Sequence, residues 1–292
     1  MLSKEAIADS LKIMTCSESD NGGVLILAGS PIGDIDQVSP ALIDILKDAD
    51  LIAAEDTRRF QQLAHRLNIE TKRLISYFEA NEINRTTTII DHIRHGAKVV
   101  LITDAGMPCI SDPGYRLVKA AIEADLPLTC LPGPSAVLTA LALSGLPIDR
   151  FCFEGFMPRK SAERLRRLTS LRREERTMVF FEAPHRLADF LADAMTAFSP
   201  TRQAVICREM TKRYEQVIRG SLDKLHAWAN DHARGEITVV IKGAESTDAD
   251  LDQGVDEAIE LIQAGLKPSK AAQIVSKRLG LPRHELYARL VN

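Results

Sequence analysis

Residues 101–114 read LITDAGMPCISDPG, and this stretch decides the fold. An apolar, β-like run stops abruptly in a loop that holds two glycines, two prolines and two aspartates. Glycine lets a ligand approach the backbone closely, and proline fixes the shape of a loop. The stretch therefore predicts a strand whose carboxyl end opens into a pre-formed pocket wall.

Two other stretches have the same pattern. Residues 24–34 read VLILAGSPIGD and residues 127–136 read PLTCLPGPSA, so that each apolar run ends in a loop of glycine and proline. Because the carboxyl ends of parallel strands meet at one edge of a sheet, three such junctions predict one composite site.

Apolar runs and helical patterns alternate through the first half of the chain, as in βαβ units of a parallel sheet. The runs lie at 24–28, 51–54, 98–103 and 127–131, and the helical patterns near 38–48, 57–67, 82–95 and 114–124. We expect Pro40 to begin the first helix and Gly96 to follow the third. We predict an N-terminal α/β domain over 22–132, after an N-terminal extension at 1–21.

A second alternating region follows. It contains a helix at 134–143, an apolar patch at 151–156, a basic helix at 161–173 and strands at 177–181, 203–207 and 236–242. The fold class is α/β, with a second α/β domain and a mixed sheet over 133–245. Residues 248–252 are predicted to form a polar hinge within a helical C-terminal domain at 246–292.

The composition excludes several classes of protein. The chain has 292 residues, of which 45% are hydrophobic, and no apolar run approaches the length of a membrane span or of a signal peptide. Five cysteines without CxxC spacing argue against a disulfide framework and a zinc site. We expect a cytoplasmic protein with no metal.

The net charge of −3 conceals a basic segment. Residues 159–176 contain eight basic and three acidic residues, a local balance of +5. A charge run is usually a solvated helix face, but this one has few interleaved acids, so composition leaves a polyanion-binding surface equally open.

Known nucleotide and hydrolase motifs are absent. The first strand is not followed by GxGxxG, and no GxxxxGK[ST] occurs. Residues 133–137 begin like a nucleophile elbow but have Val137 in place of the second glycine. What remains is a pocket of small and apolar residues, suited to a nucleoside-type cofactor such as S-adenosylmethionine.

Six segments in order resemble the RsmI-type branch of the tetrapyrrole methylase superfamily over roughly 22–243. They lie at 30–34, 53–58, 103–115, 131–136, 153–160 and 181–186, and residues 270–272 and 284–287 resemble the tail of that branch. One departure is Asp34, where the family usually has asparagine.

The resemblance implies 2'-O-methylation of a cytidine in the decoding region of 16S rRNA, with the small ribosomal subunit as partner. It implies a tetrapyrrole methylase-like fold, with S-adenosylmethionine in the cleft between two α/β domains, and a homodimer. The implied cofactor contacts are Pro31, Ala105, Gly106, Met107, Ile110, Ser135, Ala136, Glu182 and Met210.

Transfer to a ribose hydroxyl needs a base, because the hydroxyl is a weak nucleophile until its proton is removed. Glu55 is our first candidate, since it matches an acid implicated in proton transfer in tetrapyrrole-methylating relatives, and Glu182 is the second. We expect Asp56 to cap a helix and Asp104 and Asp112 to shape their turn.

The predicted RNA contacts are arginines and a lysine that could bind phosphates. They are Arg58, Arg59, Arg159, Lys160, Arg164, Arg166 and Arg167. For Arg58, an ion pair with Glu55 is an open alternative.

Two other functions stay open at this point. One is C-methylation of a tetrapyrrole, an anionic macrocycle that would also attract arginines. The other is a non-catalytic RNA-binding protein of ribosome assembly, although the intact glycine and proline loops argue against a disused pocket.

Overall fold

A computed structural model describes residues 23–244 and 248–291. The extension predicted at 1–21 lies outside the described residues. The described chain divides into two compact units. The first comprises residues 23–143, 207–217 and 235–238, and the second comprises 144–206, 218–234, 239–244 and 248–291. The domain boundaries drawn from the sequence remain a prediction.

The first unit contains a five-stranded sheet in the order β3-β2-β4-β1-β5. Its strands are β1 (Val24–Ala28), β2 (Leu51–Ala54), β3 (Leu74–Ser76), β4 (Lys98–Ile102) and β5 (Leu128–Leu131). The four neighbouring pairs of this sheet are parallel, which confirms the predicted parallel sheet.

Five helices connect or follow these strands. They are α1 (Pro40–Asp48), α2 (Thr57–Arg66), α3 (Glu82–Arg94), α4 (Tyr115–Glu123) and α5 (Ala136–Ser144). Pro40 begins α1 as predicted, and the side chain of Ser39 accepts the amide of Leu42 there. Gly96 lies two residues beyond α3 with a φ of 90°, a conformation that favours glycine.

The strands of this sheet are covered on both faces. Ile26, Ile52 and Val100 belong to one buried cluster, whereas Leu25 and Val99 belong to another. Alternate residues of a strand point to opposite faces, so continuous apolar runs are what such a sheet requires. Each fully buried aliphatic side chain contributes roughly 1.5–3 kcal/mol to this packing.

The order of the strands creates a switch point between β1 and β4. From β1 the chain crosses over β4 to β2, whereas from β4 it crosses in the opposite direction, over β1, to β5. In open α/β sheets the two departing connections leave a crevice at the carboxyl ends of such strands, and ligands bind there. The loops after β1 and β4 are those singled out from the sequence.

A second five-stranded sheet has the order β6-β7-β10-β8-β9. Its strands are β6 (Phe151–Phe156), β7 (Thr177–Glu182), β8 (Gln203–Arg208), β9 (Gln216–Ser221) and β10 (Ile237–Ile241). The helices here are α6 (Ser161–Ser170), α7 (Leu187–Phe198) and α8 (Leu222–His232). The basic helix α6 thus ends three residues earlier than predicted.

Three helices follow, α9 (Asp248–Gln263), α10 (Pro268–Leu279) and α11 (Arg283–Val291). Ala271, Val275 and Leu286 lie in their shared buried cluster. The hinge predicted at 248–252 is wrong, because these residues form the first turns of α9. Across the described ranges, no helix is long and apolar enough to cross a membrane.

Candidate active site

The loops after β1 and β4 are joined by paired backbone hydrogen bonds. The amide of Ser30 donates to the carbonyl of Gly106 at 2.9 Å, and the amide of Gly106 donates to Ser30 at 3.1 Å. The Ser30 hydroxyl also donates to the carbonyl of Thr103 at 3.0 Å. These bonds hold the first two loops together directly above the switch point.

The loop after β5 reaches the same place through two glycines. A Cβ atom on Gly29 would lie 2.6 Å from the Cα of Gly133, so neither position tolerates a side chain. The amide of Gly133 donates to the sulfur of Met107 at 3.3 Å. The predicted convergence of the three loops is therefore confirmed.

The β4 loop is held in an uncommon backbone conformation. Cys109 and Ser111 have φ values of 73° and 64°, which cost free energy in residues other than glycine. Gly114, with a φ of 136°, precedes α4 and donates its amide to the buried carboxylate of Glu82 at 2.8 Å. Glu82 thus stabilises the loop at its carboxyl end.

A cavity of about 290 Å³ opens beside these loops. It is lined by Pro31, Glu55, Arg59 and Thr103, together with other residues of the β1 loop and of α2. Thr103 is buried, and its hydroxyl has no hydrogen-bond partner in the described part of the chain. A buried hydroxyl without a partner costs free energy, and a ligand's polar group would satisfy it.

Three half-buried carboxyl groups interact here. Glu55 accepts the amide of Asp104 at 3.2 Å, yet burial raises its pKa above the ordinary range, an effect that the negative charge of Asp104 increases. Burial also raises the pKa of Asp104. For Asp112, burial together with the charges of Glu55 and Asp104 raises the pKa to about 7. A carboxylate whose pKa is raised in this way is a better proton acceptor than one in water.

The prediction that Asp104 and Asp112 shape their turn is wrong. Asp104 accepts the amide of Asp56 at 3.2 Å and pairs with Arg59 at 3.2 Å, so its side chain joins the β4 loop to the segment after β2. The Asp112 carboxylate makes no hydrogen bond or ion pair with the described residues.

Asp56 caps α2 as predicted, since its carboxylate accepts the amide of Arg58 at 2.8 Å. Arg58 pairs with the same carboxylate and not with Glu55, the alternative left open from the sequence. The side chains of Arg58 and Arg59 are 85% and 65% exposed. A phosphate can therefore compete with the two aspartates for both guanidinium groups.

Met210 lies near the β1 loop within the first unit. The amide of Asp34 donates to the Thr211 hydroxyl at 3.1 Å, and Gly33 approaches the carbonyl of Met210 closely. The Asp34 carboxylate accepts the amide of Asp36 and caps a short turn. Aspartate performs this role as well as the asparagine of the family pattern.

The remaining predicted cofactor contacts in the first unit differ in exposure. Ala105, Ser135 and Ala136 are half-buried, whereas Ile110 is 48% exposed. The Ser135 hydroxyl accepts the amide of Leu138 at 3.4 Å, in the first turn of α5. Their contact with the cofactor stays a prediction.

Glu182 lies in the second unit at the end of β7 and is almost fully buried. One carboxylate oxygen accepts the amide of Ala183 at 2.8 Å and lies 3.3 Å from Arg186 Nε. The other oxygen has no partner within the described ranges. Burial raises the pKa of this group. A donor on a ligand, such as an ammonium or a ribose hydroxyl, would satisfy the free oxygen.

Two arginines of the basic helix α6 pair with acids that lie elsewhere in the chain. Arg164 is only 4% exposed and donates to Asp193 at 2.7 Å, while Arg167 pairs with Glu154 at 2.6 Å. Buried and paired, Arg164 stabilises the second unit and is not available to a phosphate, contrary to the prediction. Exposed side chains remain on Arg159, Lys160, Arg166 and Arg167.

Two parts of this site were missed from the sequence. Glu82 looks like an ordinary acid in the first turn of a helix, and its bond to Gly114 spans 32 residues. Arg66, which also lines the cavity, belongs to no recognisable sequence motif. Helix α2 contains basic residues and no acid, but so does α10, and the sequence therefore does not single it out.

Comparison with known proteins gives two family matches. The family described as Tetrapyrrole (Corrin/Porphyrin) Methylases matches residues 24–226, and the RsmI C-terminal HTH domain matches residues 248–292. Curated relatives include the ribosomal RNA small subunit methyltransferase I of Mycobacterium bovis, 47% identical over 91% of this chain and 94% of the relative. The protein of that name from Escherichia coli O157:H7 is 35% identical over 93% and 96%.

Solved structures share the fold. The methyltransferase CobJ superimposes with a TM-score of 0.59 at 22% identity, over 76% of this chain and 95% of the other. Uroporphyrin-III C-methyltransferase of Thermus thermophilus, complexed with S-adenyl homocysteine, has a TM-score of 0.53 at 16% identity over 76% and 97%. The chain belongs to the tetrapyrrole methylase family, in its ribosomal RNA small subunit methyltransferase I branch, and is an S-adenosylmethionine-dependent methyltransferase.

Proposed function

We propose that this protein methylates the 2'-hydroxyl of a cytidine in the decoding region of 16S rRNA. The observation that carries the proposal is the 47% identity, over almost the whole chain, to a protein named for methylation of small-subunit ribosomal RNA. The match of residues 248–292 to a helix-turn-helix domain of the same branch supports it. In line with the family, we propose that it acts as a homodimer in the cytoplasm.

The residues present fit S-adenosylmethionine. Small residues and backbone groups surround the convergent loops, and the buried Thr103 hydroxyl and Glu182 oxygen each lack a partner in the described part of the chain. The cofactor supplies an electrophilic methyl group when bound. We propose that Pro31, Ala105, Gly106 and the other predicted contacts of the first unit hold it, together with Glu182.

Glu55 is the proposed general base. It lines the cavity, and its pKa is raised by burial, so its carboxylate is a stronger proton acceptor than a solvated glutamate. The amide of Asp104 holds one oxygen of Glu55, and Arg59 holds Asp104. The carboxylate therefore stays in one position while the ribose hydroxyl approaches.

The test is methyl transfer from labelled S-adenosylmethionine. Small ribosomal subunits that lack the modification, deproteinised 16S rRNA and a uroporphyrinogen are offered in parallel. We expect the label to appear in the 16S rRNA of the small ribosomal subunits. Label in the tetrapyrrole alone, or in no acceptor, would refute the proposal and favour the two alternative functions respectively.

Glu55→Gln separates binding from chemistry. This variant should bind S-adenosylmethionine as the wild type does, while its kcat falls by at least about 100-fold, the usual contribution of a general base. Asp36→Asn, at an exposed acid outside the cavity, is the matched control. Wild-type turnover of Glu55→Gln would remove Glu55 from the mechanism.

A further inference from the structure

Helix α2 presents a polar face with no acidic residue. Its sequence from Thr57 to Arg66 is TRRFQQLAHR, in which Phe60 and Ala64 are buried. Surface helices usually intersperse both signs of charge, because opposite charges three or four residues apart stabilise them. Here Gln61, Gln62, His65 and Arg66 are all exposed, so this face carries donors and positive charge without compensation.

Two cavities meet along this face. The cavity beside Glu55 is lined by Gln62 and Arg66, among other residues. A second, more open cavity of about 440 Å³ is lined by Arg58, Gln61, Gln62, His65 and Arg66. Because Gln62 and Arg66 line both, the two cavities adjoin and form one groove that extends from the proposed base along the helix.

The arginines along this groove differ in whether they form ion pairs. Arg58 and Arg59 pair with Asp56 and Asp104. Arg66 makes no hydrogen bond or ion pair with any residue that the structure describes. A guanidinium has five donors and matches the two oxygens of a phosphate, so an exposed, unpaired arginine in a groove is suited to a phosphodiester.

The groove also has the dimensions of a nucleic acid contact. From Arg58 to Arg66 the helix rises about 12 Å, the length of about three phosphates along one strand of a helix. It has glutamine amides for phosphate or sugar oxygens, and the described residues that line the second cavity include no phenylalanine, tyrosine or tryptophan on which a base could stack. This chemistry selects the backbone of a strand, not its sequence.

We propose that the groove formed by Arg58, Gln61, Gln62, His65 and Arg66 binds the phosphodiester backbone of an RNA strand next to the ribose that is methylated. The proposal deepens the proposed function and rests on it. Arg66 is the principal phosphate contact, and Gln62 lies beside it, one helical turn nearer to Glu55.

The test compares Arg66→Gln and Arg66→Lys with Lys47→Gln. Lys47 is exposed in the last turn of α1. That turn leads into the amino end of β2, so Lys47 lies at the opposite end of the strands from the groove. Methyl transfer to unmodified small ribosomal subunits is measured over a series of salt concentrations, and S-adenosylmethionine binding is measured by titration.

Loss of one phosphate contact has a defined signature. For Arg66→Gln we expect KM for the subunit to rise about fivefold near 0.15 M salt, and the slope of log affinity against log salt to fall by about 0.9. Cofactor affinity should not change. Arg66→Lys keeps the charge but loses the paired donors, so it should keep the wild-type salt slope and bind with an affinity between those of the wild type and Arg66→Gln. Lys47→Gln should match the wild type. Equal KM and slope in Arg66→Gln and Lys47→Gln would overturn the proposal.

Failure of the proposed function is recognised separately. If the wild type methylates no subunit, binding of a short single-stranded RNA is measured directly for the same variants. Weaker, less salt-dependent binding by Arg66→Gln than by Lys47→Gln would still support the groove. Equal binding would refute it.

Discussion

Replacing Glu82 by alanine should destabilise the protein and weaken its cofactor site. The Glu82 carboxylate accepts the amide of Gly114 at 2.8 Å, and its other oxygen lies 3.4 Å from Arg116. Gly114 precedes α4 and has no side chain to cap it, so Glu82 supplies the missing acceptor from a distant part of the chain. The substitution therefore releases the end of the β4 loop.

The magnitude follows from the burial of the two partners. A hydrogen bond to a charged group contributes about 1.5–3 kcal/mol, and here the donor left behind is the buried amide of Gly114. The Arg116 side chain is 61% exposed, so its ion pair adds less than about 1 kcal/mol. We expect Glu82→Ala to lower the free energy of unfolding by about 2–3 kcal/mol, and Glu82→Gln, which retains an acceptor oxygen, by about 1 kcal/mol.

Urea unfolding and S-adenosylmethionine titration together test this reasoning. The free energy of unfolding should decrease in the order wild type, Glu82→Gln, Glu82→Ala, and cofactor affinity should decrease in the same order. Glu123→Ala removes an exposed acid at the other end of α4 and should stay within about 0.5 kcal/mol of the wild type. The reasoning is refuted if Glu82→Ala behaves like Glu123→Ala in both measurements.

Three further substitutions give distinct outcomes. Because the pKa of Asp112 is raised to about 7, the unfolded chain releases this proton at lower pH than the folded state, and stability is lost as pH rises from about 4 to 7. Asp112→Asn should therefore raise the free energy of unfolding by at least about 1 kcal/mol more at pH 8 than at pH 5, and equal gains in urea unfolding would contradict this. Gly133→Ala places a Cβ 2.7 Å from the Cα of Gly29 and should cost about 1–3 kcal/mol, whereas Gly220→Ala, whose nearest neighbour is at 3.6 Å, should cost less; equal thermal shifts would argue against the close approach. Glu182→Gln keeps the shape of a buried group and should weaken S-adenosylmethionine binding more than it lowers stability, and calorimetry that finds unchanged affinity would exclude this contact.

Much of the first unit could be predicted because its signals are local. A run such as Val99, Val100 and Leu101 is buried on alternate faces of one sheet, and a strand covered on both faces favours such an uninterrupted apolar run. Asp56 marks the start of α2 and Gly96 marks the end of α3, and each lies within two residues of its helix. Each of these features depends on near neighbours in sequence.

Strands without a continuous apolar run were missed. β3 has only three residues, all half-buried, at the edge of its sheet. β9, with the sequence QVIRGS, contains arginine, glycine and serine and lies at the edge of the other sheet. Edge strands bury less surface, so hydrophobicity selects their residues weakly, and pairing with a neighbour determines where they form.

Side-chain pairs that the sequence does not reveal account for what was wrong or left open at the site. Arg164 looks like its neighbours on a basic helix, yet Asp193, 29 residues later, makes it a buried ion pair. Arg58 follows two acids, Glu55 and Asp56, and only the structure shows that it pairs with Asp56 and not with Glu55. Such partners are decided by tertiary packing, which composition and periodicity do not record.

The central claim is that the methyl group is transferred to a ribose oxygen of 16S rRNA. The most direct measurement is mass spectrometry of nucleosides from small subunits incubated with the protein and isotopically labelled S-adenosylmethionine, with the modified nucleotide mapped by fragments of the rRNA. We predict label in 2'-O-methylcytidine from the decoding region, formed by the wild type and not by Glu55→Gln. Label on a base, on another nucleoside or on a ribosomal protein would contradict the account.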